Sequence, residues 1–220
     1  MKDRRILLVV ASGLATAGLA YLGTGLHPVW WCLWLAPVLV LALAPSLGRG
    51  TAFLLAFSAW LLGALNEWNY FTHGIEVPLP LVAIVILVPA LVFGLCVLFA
   101  RSFLLRGSLF LGAFAFPVSW VAYEYLTEVG SPNSTFGNLG YTQMDFLPII
   151  QIASITGIWG ISFIVFLFAG TIAALLSGAG KPRQRRVLAL TVGALLCLLF
   201  FFGEWRLSNH PAASSVRVTL

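Results

Sequence analysis

Apolar and polar positions divide the chain into seven long apolar runs separated by short polar segments: 6–22, 29–44, 51–70, 79–100, 109–126, 149–176 and 187–205. Roughly 20 apolar residues, within about 17–25, are needed to cross a bilayer core. The second run is therefore short, and the sixth, the longest, has length to tilt or to begin in the interface. Lipid offers the backbone no hydrogen-bond partner, so the runs are predicted to be helices. The fold class expected is all-α: a polytopic transmembrane helical bundle of about seven spans, with residues 1–210 forming one membrane domain. Pro28, Pro45, Pro78, Pro80 and Pro148 fall near predicted helix ends, where the missing N–H costs little. Pro37, Pro89 and Pro117 fall inside runs and are predicted to kink them.

Composition agrees with this pattern. The 220 residues are 60% hydrophobic and only 9% charged, too little charge to cover a soluble domain. The net charge of +5 does not point to nucleic acid, because the basic residues sit in short loops between apolar runs. With the N-terminus in the cytoplasm, ten of the 12 basic residues (Lys2, Arg4, Arg5, Arg49, Arg101, Arg106, Lys181, Arg183, Arg185 and Arg186) fall in cytoplasmic segments. Lys and Arg in short cytoplasmic loops set orientation, so the C-terminus is expected on the far, periplasmic side of a bacterial inner membrane. The basic start, the apolar stretch and Ala15-Thr16-Ala17 also have the form of a cleavable signal peptide. The apolar run continues past that site to Leu22, which favours a retained helix.

Six of the seven acidic residues (Glu67, Glu76, Glu124, Glu128, Asp145 and Glu204) map to the outer half or the outer loops. All five tyrosines do the same, with Trp30, Trp31, Trp34, Trp68 and Trp205. Aromatic belts normally occur at both interfaces. The one-sided distribution points to a polar, aromatic-lined site at headgroup depth on the outer face. Two outer segments are richest. The connection from Asn66 to Pro78 holds Glu67, Trp68 and His73. The connection from Glu124 to Pro148 is longer than a mere connector requires and is dense in turn residues, among them Gly130, Pro132, Asn133, Gly137, Asn138 and Gly140. A buried Glu124 would need a partner, and His27, Tyr21, Asn138 and Gln143 are all candidates.

Cys32, Cys96 and Cys197 each lie in an apolar run and read as packing residues. No metal-ligand spacing, phosphate-binding glycine loop or nucleophile–base pair is evident, so neither metal nor cofactor is expected, and the chain by itself shows no catalytic centre. No internal repeat supports an inverted-repeat transporter.

The order of elements resembles the membrane domain of bacterial apolipoprotein N-acyltransferases. The matching pieces are Leu26-His27-Pro28-Val29-Trp30-Trp31 leading into Trp34-Leu35-Ala36-Pro37; Trp68-Asn69-Tyr70 through His73-Gly74; Trp120 with Glu124; Gly130-Ser131-Pro132; Asn138-Leu139-Gly140-Tyr141-Thr142-Gln143; and Gln151-Ile152-Ala153 with Gly157-Ile158-Trp159-Gly160-Ile161-Ser162-Phe163. In that family seven helices precede a periplasmic nitrilase-like domain. The resemblance makes residues 211–220 a linker and the first strand of such a domain, the rest of which is not in this sequence. It implies a cysteine on that domain that takes an acyl chain from a phospholipid as a thioester and passes it to the α-amino group of a lipoprotein's N-terminal cysteine. Phospholipid and lipoprotein are the partners implied. Glu67, Trp68, His73, Glu124, Pro132, Asn138, Gly140, Tyr141 and Gln143 are the candidate substrate-binding residues, none of them catalytic. The chain departs from the family at Gly130-Ser131-Pro132-Asn133, where an aromatic-rich stretch is usual; this bears on donor preference. The alternatives are a non-enzymatic lipid- or lipoprotein-binding membrane protein and, with less support, a small-molecule transporter.

Overall fold

The computed structural model describes residues 2–209 and is all-helical among them. Helix α1 (Lys2–Gly23) carries the first apolar run. The chain then turns through Gly25, at φ +85°, and folds back, with Val29 N donating to Leu22 O at 2.8 Å. Two short helices follow, α2 (Trp30–Leu35) and α3 (Val38–Leu43). They part at Pro37, which has no N–H with which to continue the ladder of α2. A 3₁₀ turn, Ala44–Ser46, completes this leg.

Helix α4 (Arg49–Ala64) is prolonged by a 3₁₀ turn (Leu65–Glu67) and a π-helical turn (Tyr70–Gly74). Helices α5 (Leu79–Leu105) and α6 (Leu109–Val129) form a tight antiparallel pair. A long connection containing a 3₁₀ turn (Leu139–Gln143) leads to the short helices α7 (Leu147–Ile150) and α8 (Ala153–Thr156). Helices α9 (Ile158–Leu176) and α10 (Pro182–Ser208) finish the bundle.

Among the described residues, six stretches are long and apolar enough to cross a membrane: Asp3–Gly23, Arg49–Gly74, Leu79–Leu105, Leu109–Val129, Ile158–Leu176 and Pro182–Ser208. The second apolar run is too short to join them, yet it traverses the bundle. It leaves the end of α1 at Leu22 and arrives where the Arg5 guanidinium, near the start of α1, donates to Ser46 O. The sixth run is not the single helix expected over 149–176. It breaks at Gly157, whose φ of +69° and ψ of −175° belong to a region open in practice only to glycine. Residues Leu147–Thr156 are therefore too short to span, and only Ile158–Leu176 does.

Helix α6 packs between α5 and α9, while α4 packs between α1 and α5. The centre is aromatic. Trp60 stacks on Phe93 at 4.3 Å between centroids, and Phe93 meets Phe116 edge-on at 5.4 Å. Small residues bring backbones together: Gly63 lies against Ala17 and Ala20 of α1, and Gly170 against the carbonyl of Ala113. Helix α1 is bound into the bundle by these contacts and by Asn66, whose Nδ2 donates to Tyr21 O and Thr24 O at 2.6 and 2.8 Å.

The fold segregates charge. Arg4, Arg5, Arg49, Arg101, Arg106 and the Lys181–Arg186 segment lie at one end. The Arg101 guanidinium seals that end, donating to Ala44 O at 2.9 Å and Leu47 O at 2.7 Å. Glu67, Glu76, Glu124 and Glu128 lie at the other end. The linker and strand expected over 211–220 lie outside the described residues.

Candidate functional site

Trp120, Glu124 and Glu128 are spaced four residues apart on α6 and so share one face. All three are buried, at 2%, 4% and 8% exposure. The connection after α6 folds back over this face and is held to it by hydrogen bonds. Glu124 Oε1 accepts from Trp120 Nε1 at 3.0 Å and from the backbone N–H of Leu139 at 3.1 Å. Glu128 Oε1 accepts from Asn138 Nδ2 at 2.8 Å, and its Oε2 from Trp159 Nε1 at 2.7 Å. Asn138 Oδ1 in turn accepts from Gly140 N at 2.8 Å and Ser162 Oγ at 3.1 Å. Gln143 is wholly buried; its Oε1 accepts from Trp34 Nε1 at 2.7 Å, and its Nε2 donates to Thr142 Oγ1 and Trp30 O. At Gly140 a side chain would collide with Ile158 and Asn138, so the loop lies flat against the start of α9. A buried polar group left unpaired costs about 1–3 kcal/mol. This network pairs almost all of its members and so sets one loop conformation.

In front of the network lies a cavity of about 750 Å³ between α4, α5, α6 and the loop. Its wall is of two kinds. Leu81, Ile84, Val85 and Val88 of α5 form an apolar flank, and they are also exposed on the outside of the bundle, where lipid would lie. Glu67, Glu76, Glu124 and Glu128 line the cavity together with Ser131, Asn133 and Ser134, and no Lys, Arg or His lines it. Glu124 Oε2, itself buried, has no hydrogen-bond partner among the described residues. An apolar trough beside a cluster of acceptors can take an amphiphile whose head carries N–H donors or a positive charge.

The residues expected at the site divide into three groups. Glu67 and Glu124 line the cavity. Asn138, Gly140 and Gln143 stand behind its wall and tether the loop. Trp68, His73, Pro132 and Tyr141 are exposed and line no part of it; His73 Nδ1 pairs with Thr72 Oγ1, and Tyr141 Oη with Thr135 Oγ1, each at 2.8 Å. The partners expected for Glu124 need correction. His27 and Tyr21 are exposed, Asn138 serves Glu128, and Gln143 serves Trp34, while Glu124 uses Trp120 and a backbone N–H. Sequence reasoning missed Glu128, Ser162 and Asn133 as site residues, and used Trp34, Trp120 and Trp159 only as elements of a pattern. The four-residue spacing of Trp120, Glu124 and Glu128 was the available signal. Among the described residues no group of three or more His, Cys, Asp or Glu is placed to hold a metal, and no cysteine lines the cavity.

Comparison with known proteins agrees with these observations. An apolipoprotein N-acyltransferase 1 of Treponema denticola is 34% identical over 111 residues, 50% of this chain and 19% of that protein. An apolipoprotein N-acyltransferase of Geobacter metallireducens is 32% identical over 109 residues, 48% of this chain and 21% of that protein. One of Coxiella burnetii is 29% identical over 175 residues, 74% of this chain and 35% of that protein. The match thus spans between about a fifth and a third of these relatives' length. No solved structure is a significant match. Residues 16–171, which include α2 to α8, the cavity wall and most of α9, match the family described as the apolipoprotein N-acyltransferase N-terminal domain, and the chain belongs to that family.

Proposed function

We propose that this chain is the membrane domain of an apolipoprotein N-acyltransferase-like protein, admitting a phospholipid acyl donor and a lipoprotein acceptor for N-acylation of the lipoprotein's N-terminal cysteine. By the positive-inside rule its arginine-rich end faces the cytoplasm, and the cavity faces the periplasm in a bacterial inner membrane. The observation that carries this reading is the two-part wall of the 750 Å³ cavity, an apolar flank continuous with the lipid-facing surface of α5 beside four carboxyl groups and no cation. Both substrates are amphiphiles that reach the protein from the side. The acceptor must bring an amino group, and the carboxyl groups of Glu67, Glu76, Glu124 and Glu128 are the acidic partners on that wall. The acyl transfer itself belongs to the nitrilase-like domain that the family resemblance implies. The loop orders the rim, with Ser131, Asn133 and Ser134 on it in place of the aromatic stretch, so donor selection follows different contacts here.

That departure also favours a second reading, a non-catalytic protein that binds lipid or lipoprotein with the same cavity. The apparent mass of the native polypeptide in its own membranes separates the two, because only the first requires a nitrilase-like domain joined to the chain or held beside it. A transporter gains nothing from the structure, since the cavity's carboxyl groups gather at one end of the bundle.

The substrate-binding claim is tested with photoactivatable phosphatidylethanolamine and a photoactivatable diacylated lipopeptide, each mapped on the chain by mass spectrometry. Cross-links concentrated on α4, α5, α6 and residues 130–139 are expected. Labelling no denser there than on the outward face of α10 would refute it.

A further inference from the structure

At the end of the bundle opposite the cavity, Leu95, Phe99 and Ser102 share one face of α5, and Arg106 caps the helix just beyond them. With the start of α4 this face forms a groove of about 570 Å³, lined by Arg49, Arg101, Arg106 and Ser102 and by Leu95, Leu98, Phe99 and Leu105. Three guanidinium groups line it, and no carboxyl group does. Arg101 is fixed by its bonds to Ala44 O and Leu47 O, which hold the end of α5 against the chain entering α4. The side chains of Arg49 and Arg106 are exposed and form no hydrogen bond or ion pair with the described residues. Below them Leu95 and Phe99 are about half exposed, at 50% and 48%, and continue the groove along the membrane-spanning part of α5.

Arginines at this end are required by orientation alone. The Lys181–Arg186 segment already meets that requirement with four basic residues. The Arg49–Arg106 groove differs because cationic forks stand over an apolar channel that runs toward the bilayer centre. Guanidinium groups bind phosphate in a forked, charge-assisted geometry, and basic pockets between spans are suited to anionic headgroups.

We propose that this groove is a binding site for one anionic phospholipid of the leaflet at the arginine-rich end, with its phosphate between Arg49 and Arg106 and an acyl chain along Leu95 and Phe99. The site is independent of the substrate cavity and of the function proposed for it.

The test uses the 220-residue chain in neutral detergent micelles, titrated with fluorescent phosphatidylglycerol and with phosphatidylcholine of the same chains. Saturable binding that favours phosphatidylglycerol about tenfold is expected. A surface arginine contributes about a fivefold factor to anionic-lipid binding, so Arg49→Gln with Arg106→Gln should weaken binding by roughly 10–25-fold. Arg183→Gln with Arg186→Gln removes the same charge from the same end and should leave binding within about twofold. Ser102→Trp fills the groove without altering charge and should also abolish the preference, which keeps the test decisive if the arginine variant does not fold. Equal loss in the two double variants, no preference between the lipids, or displacement of the bound lipid by inorganic phosphate alone would each overturn the proposal.

Discussion

Removing the Glu128 side chain tests whether the buried network holds the outer loop. Glu128→Ala takes the acceptors from two donors, the buried Asn138 Nδ2 at 2.8 Å and the half-buried Trp159 Nε1 at 2.7 Å. Each orphaned donor costs about 1–3 kcal/mol. Water entering from the adjoining cavity repairs part of this, so a net loss of about 2–4 kcal/mol is expected. Asn138 also positions Gly140 and Ser162, and the loss therefore propagates along the 3₁₀ turn Leu139–Gln143. Glu128→Gln keeps one acceptor oxygen but turns an NH₂ toward a donor, and should cost about half as much. The assay is denaturant unfolding in detergent micelles, read together with limited proteolysis of residues 130–146. Both variants should melt earlier, and the loop should become cleavable before the helices separate. A Glu128→Ala protein within about 0.5 kcal/mol of the parent, with its loop still protected, would refute the reasoning.

Three further outcomes follow from the same geometry. Glu124→Gln preserves the oxygen bonded by Trp120 and Leu139 and replaces the free one, so stability should change by less than about 1 kcal/mol, while cross-linking of the amine-bearing lipopeptide in the cavity should fall roughly tenfold; an unchanged yield would remove Glu124 from the binding wall. Gly170→Ala forces a methyl group onto the carbonyl of Ala113 and should cost about 1–3 kcal/mol in a thermal melt, against no such penalty for Gly193→Ala, which meets nothing within 4 Å. Gly157→Ala places a side chain at φ +69°, ψ −175°, and should cost a similar 1–3 kcal/mol by strain, seen as loosening of the Leu147–Thr156 segment in hydrogen exchange while α9 stays protected.

The spans were legible because each is a contiguous apolar run and lipid allows such a run only one backbone solution. Where the reading failed, the cause was a single residue with a special backbone. Gly157 divides a run that hydropathy treats as continuous, because hydropathy carries no information on φ. Helix α10 begins at Pro182, earlier than its apolar run, because charged side chains at a membrane edge can be helical without being apolar. At the site, Glu124 and the 130–147 connection stood out in the sequence by rarity and loop length. The partners were not. Glu124 was expected to meet a distant histidine or amide, whereas a tryptophan one turn back and a backbone N–H serve it. Glu128 was passed over although its spacing from Glu124 places the two on one helix face.

The sequence by itself determined the fold class, the helical nature of the spans and the segregation of basic from acidic residues, because these depend on local composition and on the bilayer as solvent. It also carried the family, through short motifs kept in order along the chain. Only the tertiary structure decided which carboxyl oxygens are paired and which is free, that the 570 Å³ groove lies beneath arginines otherwise explained by orientation, and that Trp68, His73, Pro132 and Tyr141 stand outside the cavity. These depend on groups up to 113 positions apart, as Gln143 Nε2 and the Trp30 carbonyl are. Contacts at such separation are set by helix packing and loop return, which no local pattern encodes.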